Sequence, residues 1–242
     1  MTDQAVSSLM AGLNRINEAW DSRSELTHIL TASVLLSFLT YFIFDTSAIG
    51  IEHSLLISFL IISPSVMLHE MMHVKMAKEL DHKQARYVAY LPFLIISILI
   101  VLFFRRPFLL LPGFAKISEN RTIQYPIEWY HPRLPFGIKI RNKYEEVAFI
   151  AIGGAIANLF LVFTAFALLL VLQAGFISSL LSTILIVNFN LMAFNMLPIP
   201  MLDGGHVFRG NKRWFALMWI MIIASGVFIF LLNNNFIRNM LV

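Results

Sequence analysis

The sequence predicts an all-α polytopic membrane protein with five to six transmembrane helices and a re-entrant or short-strand segment between the second and third clear spans. Three observations predict it. Of 242 residues, 58% are hydrophobic and 13% charged, with mean hydropathy +0.76, whereas soluble domains run near a quarter charged. Several apolar runs approach the ~20 residues needed to cross a bilayer. Lys and Arg gather between those runs rather than inside them, the ordinary arrangement of cytosolic membrane loops. The net charge of +4 and pI near 9.5 therefore favour a lipid-bilayer setting over nucleic acid as partner.

The length allows one membrane-embedded domain, residues 26–242, behind a cytosolic or interfacial segment, residues 1–25. That segment carries Asp3, Glu18, Asp21 and Glu25 and does not read as a cleavable signal peptide. Ala5, Leu9, Leu13, Ile16 and Trp20 fall near helical spacing, which suits a short helix over 4–20, either on the membrane surface or solvated. Leu26 to Phe44 makes a first span and Ser54 to about Lys78 a second, with Pro64 expected to bend it by freeing one carbonyl. Leu91 to Phe104 is apolar but short, and fits a re-entrant segment at least as well as a span. Phe108 to Tyr144, with Gly113, Pro126, Pro132, Pro135 and Gly137, reads as short strands and turns at the membrane surface. Val147 to Leu172, Phe176 to Met196 and Trp214 to Leu232 complete the spans.

The second span passes straight through His69-Glu70-Met71-Met72-His73. On a helix, residues four apart differ by about 40° and 6 Å in height, so both imidazoles face one way. That spacing lets two histidines share one zinc ion, with the intervening glutamate placed to act on its bound water. Ionisable groups at membrane depth are costly and signal function. With no cysteine in the chain, thiolate sites are excluded, and the metal must use His, Asp or Glu. A catalytic zinc usually takes a third protein ligand. The best candidate is Asp203, in Asn195-Met-Leu-Pro198-Ile-Pro200-Met-Leu202-Asp203-Gly204-Gly205. Two prolines interrupt a helix there and two glycines permit close backbone approach. Such an unwound segment survives within a membrane only where protein or a wet cavity surrounds it.

His69-Glu70-x-x-His73 followed by Asn195-x-x-Pro198-x-Pro200-x-Leu202-Asp203-Gly204 resembles the site-2 protease family of intramembrane zinc metalloproteases. Gly153-Gly154-Ala155-Ile156-Ala157-Asn158 is similar to that family's Gly-Pro-x-x-Asn stretch, with Ala155 standing where the proline usually is. The resemblance covers about residues 54–210. It implies an intramembrane zinc endopeptidase in which His69, His73 and Asp203 hold one zinc ion and Glu70 is the base. Asn158 and Asn195 would line the site and touch substrate, although interhelical hydrogen bonding suits them equally. Implied substrates are single-span membrane proteins cut in regulated proteolysis.

Depth and charge support the same arrangement. Zinc ligands lie about 2 Å from one ion, so His73 and Asp203 must share a depth. A re-entrant 91–104 leaves two spans between them and matches the depths; a crossing segment does not. With a cytosolic N-terminus, re-entry also leaves 17 of the 18 Lys and Arg inside, with only Arg238 outside. The site is then expected near the cytosolic side of a multi-pass protein. Once unwound, a scissile segment is expected to add as a strand near Pro112–Ile123 or Pro198–Leu202. Gly153-Gly154 reads as a close helix-packing patch and His206 as a loop histidine. The competing class is a metal-stabilised scaffold that binds helices without cutting them. Glu70 argues against it, because a structural metal site needs no base.

Overall fold

The computed structural model of the protein describes residues 19–41, 51–89, 113–116, 129–130, 139–140, 142–172, 175–200 and 202–233, with isolated positions 95, 98 and 99. The helix expected over 4–20 lies outside the described residues except at 19 and 20, and the re-entrant segment expected over 91–104 except at 95, 98 and 99. The chain forms two compact units, residues 1–59 with 86–116, and residues 60–85 with 117–242.

In the first unit, Ser24 starts helix α1 (Glu25–Tyr41): its hydroxyl accepts the Thr27 N–H at 3.2 Å. Strands β1 (Arg86–Ala89) and β2 (Gly113–Lys116) pair antiparallel, with Arg86 opposite Lys116 and Val88 opposite Phe114. Residues 20–25 fasten to β1. The Trp20 indole donates to the Ala89 carbonyl at 2.6 Å, and the Glu25 carboxylate accepts the Tyr87 N–H at 2.8 Å. Tyr87 and Ala89 therefore turn their backbone groups away from β2, which leaves Arg86 and Val88 to make its ladder. Strand β2 falls within the 108–144 stretch expected to hold strands. Strand β1 was not expected, because its four residues carry too little pattern to separate from a loop.

Helix α2 (Ile51–Glu79) begins in the first unit and continues in the second, helical through Pro64. Just after the proline, the Ser65 hydroxyl donates to the Ile61 carbonyl at 2.8 Å. Asn188 then donates to the Ser65 oxygen at 2.9 Å. Interhelical bonds of this kind contribute about 0.6–2 kcal/mol in a membrane, where apolar contact alone gives helices little reason to associate.

Among the described residues, the rest of the second unit comprises a two-stranded antiparallel sheet, β3 (Trp129–Tyr130) with β4 (Lys139–Ile140), and four helices. Helix α3 (Lys143–Val171) is capped by Asn142, whose side chain accepts the Tyr144 and Glu145 N–H groups. Helix α4 (Gly175–Asn195) follows, then α5 (Asp203–Gly210) and α6 (Lys212–Asn233). Among the described residues, three helices are long and apolar enough to cross a membrane: Lys143–Val171, Ile177–Asn195 and Lys212–Leu231. The described residues are mainly helical, as expected, and β2, β3 and β4 lie in the 108–144 stretch expected to hold short strands.

The core gathers Ala151, Ile152 and Ala155 of α3 with Met192, Met196, Val207, Met218 and Ile222. Alanines and glycines on α3 let its neighbours come close. A methyl group added at Gly210 would stand 2.1 Å from the Tyr144 carbonyl oxygen, so α5 ends against the start of α3 with no room to spare. Asn211 joins α5 to α6, and its Oδ1 accepts the Arg213 and Trp214 N–H groups, each at 3.1 Å. Asn211→Ala leaves those donors uncapped and is expected to lower stability by about 1 kcal/mol, read as an earlier thermal unfolding midpoint in detergent.

Candidate metal centre

Helix α2 carries His69 and His73 on one face, both buried (4% and 6% exposed). Helix α4 ends at Asn195, and residues 196–200 with Leu202 form the break that Pro198 and Pro200 demand. The freed backbone finds local partners: the Trp219 indole donates to the Met196 carbonyl at 3.2 Å, and the Leu202 N–H to that of Ile199 at 3.0 Å. Sequence reasoning left Asp203 in the unwound stretch; it is instead the first residue of α5. That helix lies flat on the break because its next two residues lack side chains. A Cβ at Gly204 would stand 2.2 Å from the Met196 carbonyl carbon, and one at Gly205 2.1 Å from the Ile199 oxygen.

The result is a small triangle of ligand atoms. His69 Nε2 is 3.1 Å from Asp203 Oδ2, His73 Nε2 is 3.2 Å from the same oxygen, and the two nitrogens are 3.1 Å apart. A tetrahedral zinc about 2.0–2.1 Å from each ligand would set them roughly 3.3 Å apart. The chemistry fits too. Asp203 Oδ2 is buried and accepts no hydrogen bond, despite both nitrogens nearby. Three lone-pair donors facing one another are mutually repulsive until a cation lies between them. His69, His73 and Asp203 are thus placed to bind a metal ion, and among the described residues they are the one group of three so placed.

Helix α3 backs this triangle with a stripe at four-residue spacing: Ile150, Gly154 and Asn158. The Ile150 carbonyl lies 2.8 Å from His73 Nδ1. A carbonyl can only accept, so Nδ1 carries the proton and Nε2 keeps its lone pair for the metal. A Cβ at Gly154 would stand 2.5 Å from His73 Nε2 and 2.6 Å from His69 Cε1. The glycine leaves the gap in which the imidazoles sit. Reading the pair as general helix packing missed this for Gly154; Gly153 does pack against Met76 and Met72. A signal was available, because Gly154 and Asn158 repeat on α3 the spacing of His69 and His73 on α2.

Asn158 is wholly buried, and its amide nitrogen lies 2.9 Å from His69 Nδ1. The amide nitrogen of Asn195 lies 3.3 Å from His69 Nε2, on the ligand side. Glu70 is buried, and its Oε2 makes no hydrogen bond. His206 is half-buried on α5 rather than in a loop. Burial holds its imidazole below the ordinary histidine value, so it is neutral at pH 7.

The Peptidase family M50 model matches residues 171–215, which include the α4 end, the break and Asp203. With the His-Glu-x-x-His helix and the three convergent side chains, this match supports a site-2 protease-like zinc metalloendopeptidase with apolar helices suited to a membrane. A particular relative is the "Putative zinc metalloprotease" of Methanocaldococcus jannaschii. It is 28% identical over 173 residues, 70% of this chain and 78% of the relative. No solved structure matches the chain.

Proposed function

We propose that the protein is a multi-pass intramembrane endopeptidase that hydrolyses peptide bonds in the membrane segments of single-span proteins, in regulated proteolysis, near the cytosolic side. The observation that carries this reading is the close triangle of His69, His73 and Asp203 beside Glu70, among helices apolar enough to span. His69, His73 and Asp203 are the metal ligands in this reading. A zinc ion held there would lower the pKa of a bound water and polarise the scissile carbonyl. Glu70 takes the proton of the attacking water and delivers one to the leaving amine. Its carboxylate has an unsatisfied oxygen free for that exchange. Asn195, on the ligand side, presents an amide N–H to the substrate carbonyl.

The test is cleavage of single-span proteins by purified enzyme in lipid vesicles, followed by mass spectrometry. Cutting within the apolar segment, stopped by chelation and restored by zinc, is expected. Cutting confined to soluble peptides would sink the intramembrane reading.

A substrate helix hides its peptide bonds in internal hydrogen bonds and must unwind before it is cut. We infer that the unwound segment adds as a strand to β2. The register gives a discriminating substitution, because Ala115 lies opposite Tyr87, whose N–H bonds the Glu25 carboxylate. Ala115→Pro then removes a backbone donor from the outer edge and spares the β1 ladder. It is expected to slow cleavage at least roughly tenfold, one lost edge bond at ~1.4 kcal/mol, with zinc content unchanged. An unchanged rate would remove the strand-addition idea.

A further inference from the structure

We infer that Asn158 is a positioning residue for the metal rather than a substrate contact, and that it works by accepting a hydrogen bond from His69 Nδ1–H. The inference rests on the zinc reading above. Asn158 has no exposed surface and sits behind His69, on the side away from Asp203 and His73. His73 shows what the site requires, since its Nδ1 faces a carbonyl that can only accept and so fixes the proton away from the metal side.

His69 has the same need. A neutral imidazole that gives Nε2 to a metal carries its proton on Nδ1, and that proton points at Asn158, 2.9 Å away. Of the two amide atoms, only the oxygen can accept it. Oxygen and nitrogen of an amide have nearly the same shape, so their assignment follows the hydrogen bonds. In the present orientation Oδ1 is buried and bonds nothing. Turning the amide therefore sacrifices no oxygen bond, and it gives His69 the acceptor that a metal-bound imidazole needs. The opposite arrangement, with the amide N–H₂ donating to Nδ1, would put the proton on Nε2, among the three ligand atoms. That excludes a cation.

The experiment compares zinc affinity, by competition with a chelator, in wild-type, Asn158→Ala and Asn158→Asp enzyme. The d–d spectrum of the cobalt-substituted proteins reports ligand geometry. Alanine removes the acceptor and is expected to weaken zinc binding about 10–100-fold. Aspartate can only accept, and its charge offsets the positive charge left when Asp203 binds a divalent ion, so affinity should stay at the wild-type level with a wild-type cobalt spectrum. An Asn158→Asp protein that loses zinc as Asn158→Ala does, or that fails to fold in zinc-containing medium, overturns the acceptor role. It is equally overturned if Asn158→Ala keeps full affinity and raises KM alone, as a substrate contact would. A wild-type protein that binds no zinc sinks the metal reading itself, and is distinguishable from either result.

Discussion

Glu70→Gln enzyme is expected to bind zinc as the wild type does and to cleave at least about 10²–10⁴-fold more slowly. The size is that of a lost general base. Glutamine keeps the shape of glutamate but has no basic oxygen for the proton of the attacking water. The side chain is buried and outside the ligand triangle, so the substitution leaves the three metal-binding atoms in place. The paired measurement is metal content by elemental analysis and cleavage of a single-span substrate in lipid. Normal zinc with retained cleavage would discard the base, whereas lost zinc would make Glu70 a structural part of the metal site.

Gly154→Ala is expected to cost zinc affinity at least roughly tenfold to a hundredfold, the range seen when a ligand's support is disturbed. The new methyl would stand 2.5 Å from His73 Nε2 and 2.6 Å from His69 Cε1, inside van der Waals contact with both rings. Neither imidazole can retreat cheaply, because the Ile150 carbonyl holds His73 on its far nitrogen and Asn158 contacts His69 on its own. The neighbouring Gly153→Ala is the control. Its nearest contact would be 2.8 Å to Met76 Cγ, part of a flexible side chain, although the Met72 carbonyl oxygen at 3.2 Å is tight. It should fold less well while binding zinc nearly normally once folded. Equal zinc loss in the two variants would show that general packing, rather than the gap at Gly154, sets the metal site.

The three residues placed to bind a metal ion were legible in the sequence because each belongs to a local pattern with its own physics. His69 and His73 share a helix face through their spacing, and Asp203 sits between a proline break and two glycines. The three helices apolar and long enough to cross a membrane, expected over 147–172, 176–196 and 214–232, were legible for the same reason, since long apolar runs have few alternatives. Their observed limits, Lys143–Val171, Gly175–Asn195 and Lys212–Asn233, differ at the ends, where capping by Asn142 and Asn211 decides. The short elements were not legible. Strand β1 and helix α5 have four and eight residues, too few for a period to show. The helices at the first two expected spans begin and end close to the expected limits where described, Glu25 against Leu26 and Ile51–Glu79 against 54–78.

By itself, then, the sequence determined the membrane class, the two imidazoles on one face and the carboxylate able to join them. Those follow from apolar content and from helical spacing, which act between near neighbours in the chain. Only the tertiary structure decided that Gly154 holds open the space for both rings, that Ile150 sets the His73 tautomer, and that Asn158 stands behind His69 rather than in front of it. These are contacts between residues 77 to 89 positions apart. Which face of α3 meets α2 is set by packing around the small residues of the core, and no local pattern encodes that choice.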